Sequence, residues 1–216
     1  MSDLIVSTGK TLQIKGTLDA VSGTVTFRSG GIAREATAQE TSAELAIPLI
    51  GAHVHDAPAT FITGAASDDD LGLIAGTLGT TAPTLQTTDL GAGNDTCYAR
   101  FPNLIVPADY AAGETLKLRT QAGMITAISD NTATIDLEVY AQDGSGAVGS
   151  DLCTTTATTI NTLISSSITV VDFTITATSL SPGDILDVRV AIAINDAATA
   201  VVIGELCKLS WLYTRQ

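Results

Sequence analysis

The sequence predicts an all-β protein: an eight-stranded, jelly-roll type two-sheet sandwich over residues 41–216, preceded by an extended N-terminal β arm over residues 1–40. Three observations carry this. Eight segments after residue 41 alternate apolar and polar residues with a period of two, the periodicity of a half-buried strand. The connections between them are rich in Gly, Asp, Asn, Ser and Pro, the residues of tight turns. No segment shows the 3.6-residue apolar spacing of a strong amphipathic helix, and eight strands with turn-rich connections match a jelly roll.

In chain order, residues 1–34 hold two short alternating pieces, "KTLQIKG" and "GTVTFRSG", which read as an arm with small hairpins. Leu12, Ile14, Val25 and Phe27 alternate within them and need an apolar or strand-edge partner. Because the later strands already suffice for a sandwich, these four are the candidate assembly interface with a neighbouring subunit. The sandwich strands are "AELAIPLI", "LGLIAGT", "CYARFPNLIV", "ETLKLRTQA", "ATIDLEVY", "ITVVDFTITAT", "DILDVRVAIAI" and "VIGELCKLSWLY". In "ATIDLEVY", Ile135, Leu137 and Val139 oppose Asp136, Glu138 and Tyr140. In "VVDFTITAT", Val171, Phe173 and Ile175 oppose Asp172, Thr174 and Thr176. In the seventh strand Leu186, Val188, Val190, Ile192 and Ile194 share one face, and Asp187, Arg189, Ala191 and Ala193 share the other. Burying those five aliphatic side chains is worth roughly 7 to 15 kcal/mol before chain entropy is counted. Ahead of that strand, Ser-Pro-Gly-Asp is turn chemistry: Pro182 presets φ and Gly183 accepts φ > 0.

Composition narrows the function. The 216 residues suit one core plus an arm. Only 15% of residues are charged, against roughly 25% in an average soluble protein, so the surface is largely Thr, Ser, Ala and Gly and suits close protein contact. A net charge of −13 argues against a phosphate backbone as partner, since nucleic-acid affinity comes from Lys and Arg. Mean hydropathy is +0.32, yet no apolar run approaches the ~18 residues of a spanning helix; no membrane partner is expected. "MSDLIVSTGK" lacks the basic start of a signal peptide. Cys97, Cys153 and Cys207 are odd in number and widely spaced, which is neither a disulfide framework nor a metal cluster.

The motif-like stretches have plainer readings. "GSGAVG", with Gly144, Gly146 and Gly149, matches GxGxxG, but the strand before it carries Asp136 and Glu138 on one face and the segment after it is Thr-rich, so a hairpin loop is expected. "STGKT" at 7–11 lacks the first glycine of a phosphate loop, where Leu4 stands. His53 and His55 project to one side of an extended segment as a cupin-type pair would, but no Glu follows at the required distance, where Thr60 stands; they read as loop or interface histidines. "SDDDLG" and the Asp143 to Asp151 loop lack the spacing of a calcium loop with its distal Glu. Asp187 and Arg189, two apart on one strand face, read as an exposed ladder pair worth at most about 1 kcal/mol. With no nucleophile elbow and no His beside a Ser or Cys, no enzyme activity, cofactor or metal is expected.

From about residue 95 onwards, "YARFPNLIVPADYAAGETLKLR", "AGMITAISDNTATIDLEVYAQDGSGAVGSDLCTTTATTIN" and "LSPGDILDVRVAIAINDAAT" resemble β-rich structural proteins of tailed bacteriophages with jelly-roll decoration or minor virion roles. The resemblance spans about half the chain. It implies a structural virion protein made in the host cytoplasm, and the acidic surface of low charge density together with the arm makes decoration and stabilisation of the capsid exterior the expected role. The expected partners are the chain itself, as a homotrimer, and the major capsid protein. The alternative is a glycan- or receptor-binding jelly-roll module of a tail tip or spike; the scarcity of aromatic residues, 4% of the chain, favours assembly.

Overall fold

A computed structural model describes residues 25–29, 32–36, 42–91, 93–125, 132–145, 147–161, 168–196 and 201–215. The chain divides into two units, Met1–Glu40 and Thr41–Gln216. In the first, β1 (Val25–Ser29) and β2 (Ile32–Ala36) form a two-stranded antiparallel sheet in which Phe27 stands opposite Arg34 and Val25 opposite Ala36. Of the candidate interface residues, Val25 and Phe27 therefore lie in β1, while Leu12 and Ile14 lie outside the described residues. The second strand of this hairpin has no counterpart in the sequence reading, because "IAREA" carries a single large apolar side chain and no visible period.

The second unit is a jelly-roll type sandwich of two antiparallel sheets. One sheet runs β10 (Thr169–Thr174), β7 (Leu116–Met124), β12 (Gly204–Thr214), β5 (Thr84–Gln86), β4 (Gly72–Ile74), with β3 (Ser42–Ile47) also on β12. The other runs β6 (Asn94–Ile105), β11 (Ile185–Asn195), β8 (Thr132–Ala141), β9 (Thr158–Thr159). All eight expected strands are present, joined by β5 and β9, which at three and two residues are too short to display a period. The alternation sorts the faces as the sequence indicates. Leu186, Val188, Val190, Ile192 and Ile194 are fully buried, and so are Ala133, Ile135 and Val139 of β8 and Leu118, Leu206 and Leu209 of the facing sheet. In the turn before β11, Gly183 sits at φ 90°, and the Ser181 N–H donates to Asp184 Oδ2 at 2.8 Å.

Two irregularities position the outer surface. The β6–β11 register slips between Leu186 and Val188, so that Pro102 and Asn103 on β6 face the single residue Asp187. Pro102 has no N–H to give to β11, which makes it the natural site of a bulge; its carbonyl instead accepts from Gln142 Nε2 at 2.6 Å. A second slip between Leu206 and Lys208 leaves Cys207 as an extra residue on β12. That residue resets the parity, which is why the buried positions jump from Leu206 to Leu209, Trp211 and Tyr213.

Candidate functional site

The outer face of the β6–β11–β8 sheet carries a polar constellation. Cross-strand register places Arg100, Arg189 and Glu138 in one row and Tyr98, Ala191 and Asp136 in the next, with Tyr140 opposite Asp187. The loop before β4 closes over the β6 edge. His53 exchanges backbone hydrogen bonds with Arg100 at 2.7 and 3.0 Å, and the Tyr98 N–H donates to the Asp69 carbonyl at 2.7 Å. This brings His55 onto the sheet face. The result is a cleft of about 270 Å³ lined by His55, Arg100, Glu138, Tyr140, Asp187 and Arg189, with Val148 at its edge.

Each charged group in the cleft has a fixed partner. Arg100 grips Asp187 with Nε at 2.8 and 3.0 Å and with a terminal guanidinium nitrogen, and this hydrogen bonding raises the Arg100 pKa further. Arg189 donates to Glu138 Oε1 at 2.5 Å and lies 4.8 Å from the centre of the Tyr98 ring, a cation–π distance. Tyr140 donates to Glu138 Oε2 at 3.1 Å. The His55 ring lies 4.7 Å from the Tyr98 ring and has a carboxylate at each nitrogen, Asp70 at 3.2 Å from Nδ1 and Asp69 at 3.5 Å from Nε2. Burial raises the Asp136 pKa, with Glu138 and Asp151 adding to the effect.

The sequence expectations fare unequally here. Asp187 and Arg189 do not form an exposed ladder pair: Asp187 is only 8% exposed and belongs to Arg100, while Arg189 belongs to Glu138. Each residue pairs instead with the strand beside it, Asp187 diagonally with Arg100 of β6 and Arg189 with Glu138 directly opposite on β8. Nor do the two histidines act together. The segment folds back so that His53 pairs with Phe61, their rings 4.2 Å apart, whereas His55 joins Tyr98 and the Asp69–Asp70 pair. His55, Asp69 and Asp70 have donor atoms within 4.8 Å of one another. The carboxylates flank opposite nitrogens of one ring, an arrangement that clamps an imidazole. In the "GSGAVG" region β8 runs into a loop in which Gly144 takes φ 76° and Gln142 bridges to Val148, and the next strand, β9, is antiparallel to β8. Asp143 accepts from Ser145, and Asp151 from the Val139 and Cys153 N–H groups, so these acids shape their own loop.

The three cysteines are held as thiols by their surroundings. Burial raises the Cys97 thiol pKa and pushes Cys153 up to about 11 and Cys207 up to about 12, away from the thiolate that nucleophilic chemistry needs.

The distribution of charge is more unusual than any single cluster. Four of the ten basic residues (Lys10, Lys15, Arg28, Arg34) and four of the 23 acids (Asp3, Asp19, Glu35, Glu40) lie in residues 1–40, so that segment is neutral. Residues 41–216 keep six basic residues and 19 acids, which is the whole net charge of −13. All six of those cations are in ion pairs within the sandwich: Arg100 with Asp187, Arg189 with Glu138, Arg119 and Lys117 with Asp172, Lys208 with Glu44, and Arg215 with Asp109. Exposed acids such as Asp56, Asp68 and Glu114 have no cation beside them among the described residues.

No family model and no curated protein sequence matches the chain. Among solved structures it is similar to carbohydrate-binding jelly-roll modules. These include the CBM22-1 xylan-binding domain of Paenibacillus barcinonensis Xyn10C (12% identity, TM-score 0.38, 68% of this chain and 82% of that one). Caldicellulosiruptor saccharolyticus CBM27-1, in complex with mannohexaose, matches comparably (12%, 0.38, 68% and 87%).

Proposed function

We propose that the chain is a structural virion protein that decorates and stabilises a phage capsid from outside, assembling as a homotrimer and contacting the major capsid protein. The observation that carries this reading is the partition of the chain. A sandwich with its own core has committed every cation internally and keeps a surplus of acid, and it is preceded by a separate unit, residues 1–40, that is neutral, includes the β1–β2 hairpin and carries alternating apolar residues in its sequence. A two-stranded hairpin is at best marginal alone in water, so such a segment gains most by pairing with other protein. The phage-like stretches "YARFPNLIVPADYAAGETLKLR" and "LSPGDILDVRVAIAINDAAT" supply the particle context. Quantitative protein analysis of purified particles tests it: decoration requires hundreds of copies per particle, and a handful, or none, would defeat the reading.

One observation favours a second reading, the sheet-face cleft itself. Tyr140, Glu138, Arg189 and Asp187 offer an aromatic ring and paired donors and acceptors in fixed positions, a suitable set for a neutral polyhydroxylated ligand such as a glycan of a host surface. Binding on a glycan array that is lost in Tyr140→Ala, together with a low copy number, would put this reading first.

A further inference from the structure

One wall of the sheet-face cleft is fastened by a single side chain that joins two loops. His55 stands on the loop 53–61, and its ring rests 4.7 Å from the Tyr98 ring of β6. Asp69 and Asp70 come from the loop that leads into β4; Asp70 Oδ1 lies 3.2 Å from His55 Nδ1 and Asp69 Oδ2 3.5 Å from Nε2. The His55 backbone N–H also donates to Asp70 Oδ1 at 3.1 Å, and Arg100 Nη1 donates to the His55 carbonyl at 3.4 Å. The His55 and Asp70 side chains are mostly buried, whereas that of Asp69 is 50% exposed. The titratable and charged groups around the ring are thus Asp69 and Asp70 on the loop before β4 and Tyr98 and Arg100 on β6. Asp187 and Arg189 of β11 and Glu138 and Tyr140 of β8 line the same cleft, and the exposed Asp56 follows His55 on its own loop.

Proton counting makes this arrangement conditional. A neutral imidazole has one N–H and one bare lone pair, and an ionised carboxylate only accepts. With a carboxylate at each nitrogen, the neutral ring donates to one and turns its lone pair on the other; only the imidazolium donates to both. Asp70 is held by the backbone N–H as well, so the contact given up with the proton is the one from Nε2 to Asp69. We propose that His55 is a proton-operated latch. With both ring protons it ties loop 53–61 to residues 67–71 over the edge of β6; with one, the tie to Asp69 opens and that wall of the cleft loosens. The backbone bonds of His53 to Arg100 and of Tyr98 to Asp69 remain, which confines the change to the loops. Histidine is the side chain that changes charge between about pH 5 and 8. While the carboxylates are ionised, the charged ring makes the extra contact, so the latch holds on the acid side of the titration and is released as pH rises through it. The inference rests on this geometry alone and stands apart from the assembly and glycan readings.

The test is amide hydrogen exchange in the full-length protein across the range in which histidine titrates. Rates for residues 54–61 and 67–71 are divided by the intrinsic rate at each pH and referred to the amides of β8 and β11, which removes any change in global stability. NMR follows the rings of His53 and His55, the two histidines of the chain, separately. For a contact with one half-exposed partner, protection of both loops should fall about two- to fivefold as pH rises, in step with the His55 ring and not with His53. His55→Gln and Asp69→Asn should each abolish that dependence, and the half-exposed Asp69 position carries the test where His55→Gln fails to melt cooperatively. Protection that stays flat across the His55 titration, that follows His53, or that keeps its wild-type pH dependence in Asp69→Asn overturns the latch.

Discussion

Arg100→Ala and Arg189→Ala are both arginine truncations on one row of one sheet, yet the structure makes their costs unequal. Asp187 is 8% exposed, and its carboxylate takes its hydrogen bonds from Arg100. Truncating Arg100 leaves a nearly buried carboxylate without a donor. Removing one partner of a fully buried pair costs about 3 to 5 kcal/mol. The Arg100 side chain is 32% exposed, so water reaches the vacated space, and about 2 to 3 kcal/mol is the expected loss. Glu138, by contrast, keeps the Tyr140 hydroxyl when Arg189 is removed, and both members of that pair are about one-third exposed; at most about 1 kcal/mol is at stake. For a chain of this size each kcal/mol moves Tm by about 2 to 4 °C, so Arg100→Ala should melt about 4 to 12 °C below wild type and Arg189→Ala within about 4 °C. Urea denaturation of the single and double variants with Asp187→Ala completes the cycle, and the coupling should link Asp187 to Arg100. Equal losses from the two arginines, or a stronger coupling of Asp187 to Arg189, would refute the partner assignment.

Val190→Asp places a carboxylate at a fully buried position between Ala99 and Leu137, a cost of several kcal/mol against a typical total of about 5 to 15, and should abolish cooperative melting followed by circular dichroism. Glu205 is 8% exposed, and burial raises its pKa; its folded state therefore favours the proton, stability grows as pH falls through the folded pKa, and the charge is a burden at pH 7. Glu205→Gln should raise Tm at pH 7 by about 2 to 4 °C, about 1 kcal/mol, and shrink the gain on acidification. Asp172 has the opposite sign: Arg119 holds its pKa down with hydrogen bonds at 2.7 and 3.0 Å, so its contribution is present above the ordinary carboxylate range and is lost as pH falls through the lowered value. Asp172→Asn should destabilise at pH 7 and flatten the acid limb of the stability curve. Elemental analysis of the purified protein should find no stoichiometric metal, and one metal per chain lost on replacing both His53 and His55 with alanine would reverse that expectation.

The sequence carried the sandwich because its information is local. A period of two along β8 and most of β11 states which side chains go inward, and burial follows it at every position of β8 and at all of β11 beyond Asp187. What it did not carry depends on register between distant segments. Asp187 meets Arg100 across 87 positions, diagonally in the register of β6 on β11, a contact visible only once those two strands are paired. The same holds for His53 and His55: an extended segment would keep them on one side, but the backbone bridge between His53 and Phe61 turns the loop and sends the rings to different neighbours. Cys207 hides a third such event, since an extra residue inside β12 inverts the parity that a simple alternation assumes.

The partition of charge lies between these cases. That four of ten cations precede residue 41 can be counted on the sequence, but the count acquires meaning only when the other six are all found in ion pairs. A body with a net charge of −13 and no uncommitted cation repels its own copies over distances of about a Debye length, ~8 Å at physiological salt. For such bodies to pack closely, attraction has to come from burial of apolar surface or from cations outside the sandwich. Lys10, Lys15, Arg28 and Arg34 are the cations outside the sandwich, and Asp3, Asp19, Glu35 and Glu40 in the same forty residues balance them, so that segment adds local cations without adding to the net repulsion. On the assembly reading proposed above, attraction between copies would therefore have to draw on apolar burial or on residues 1–40.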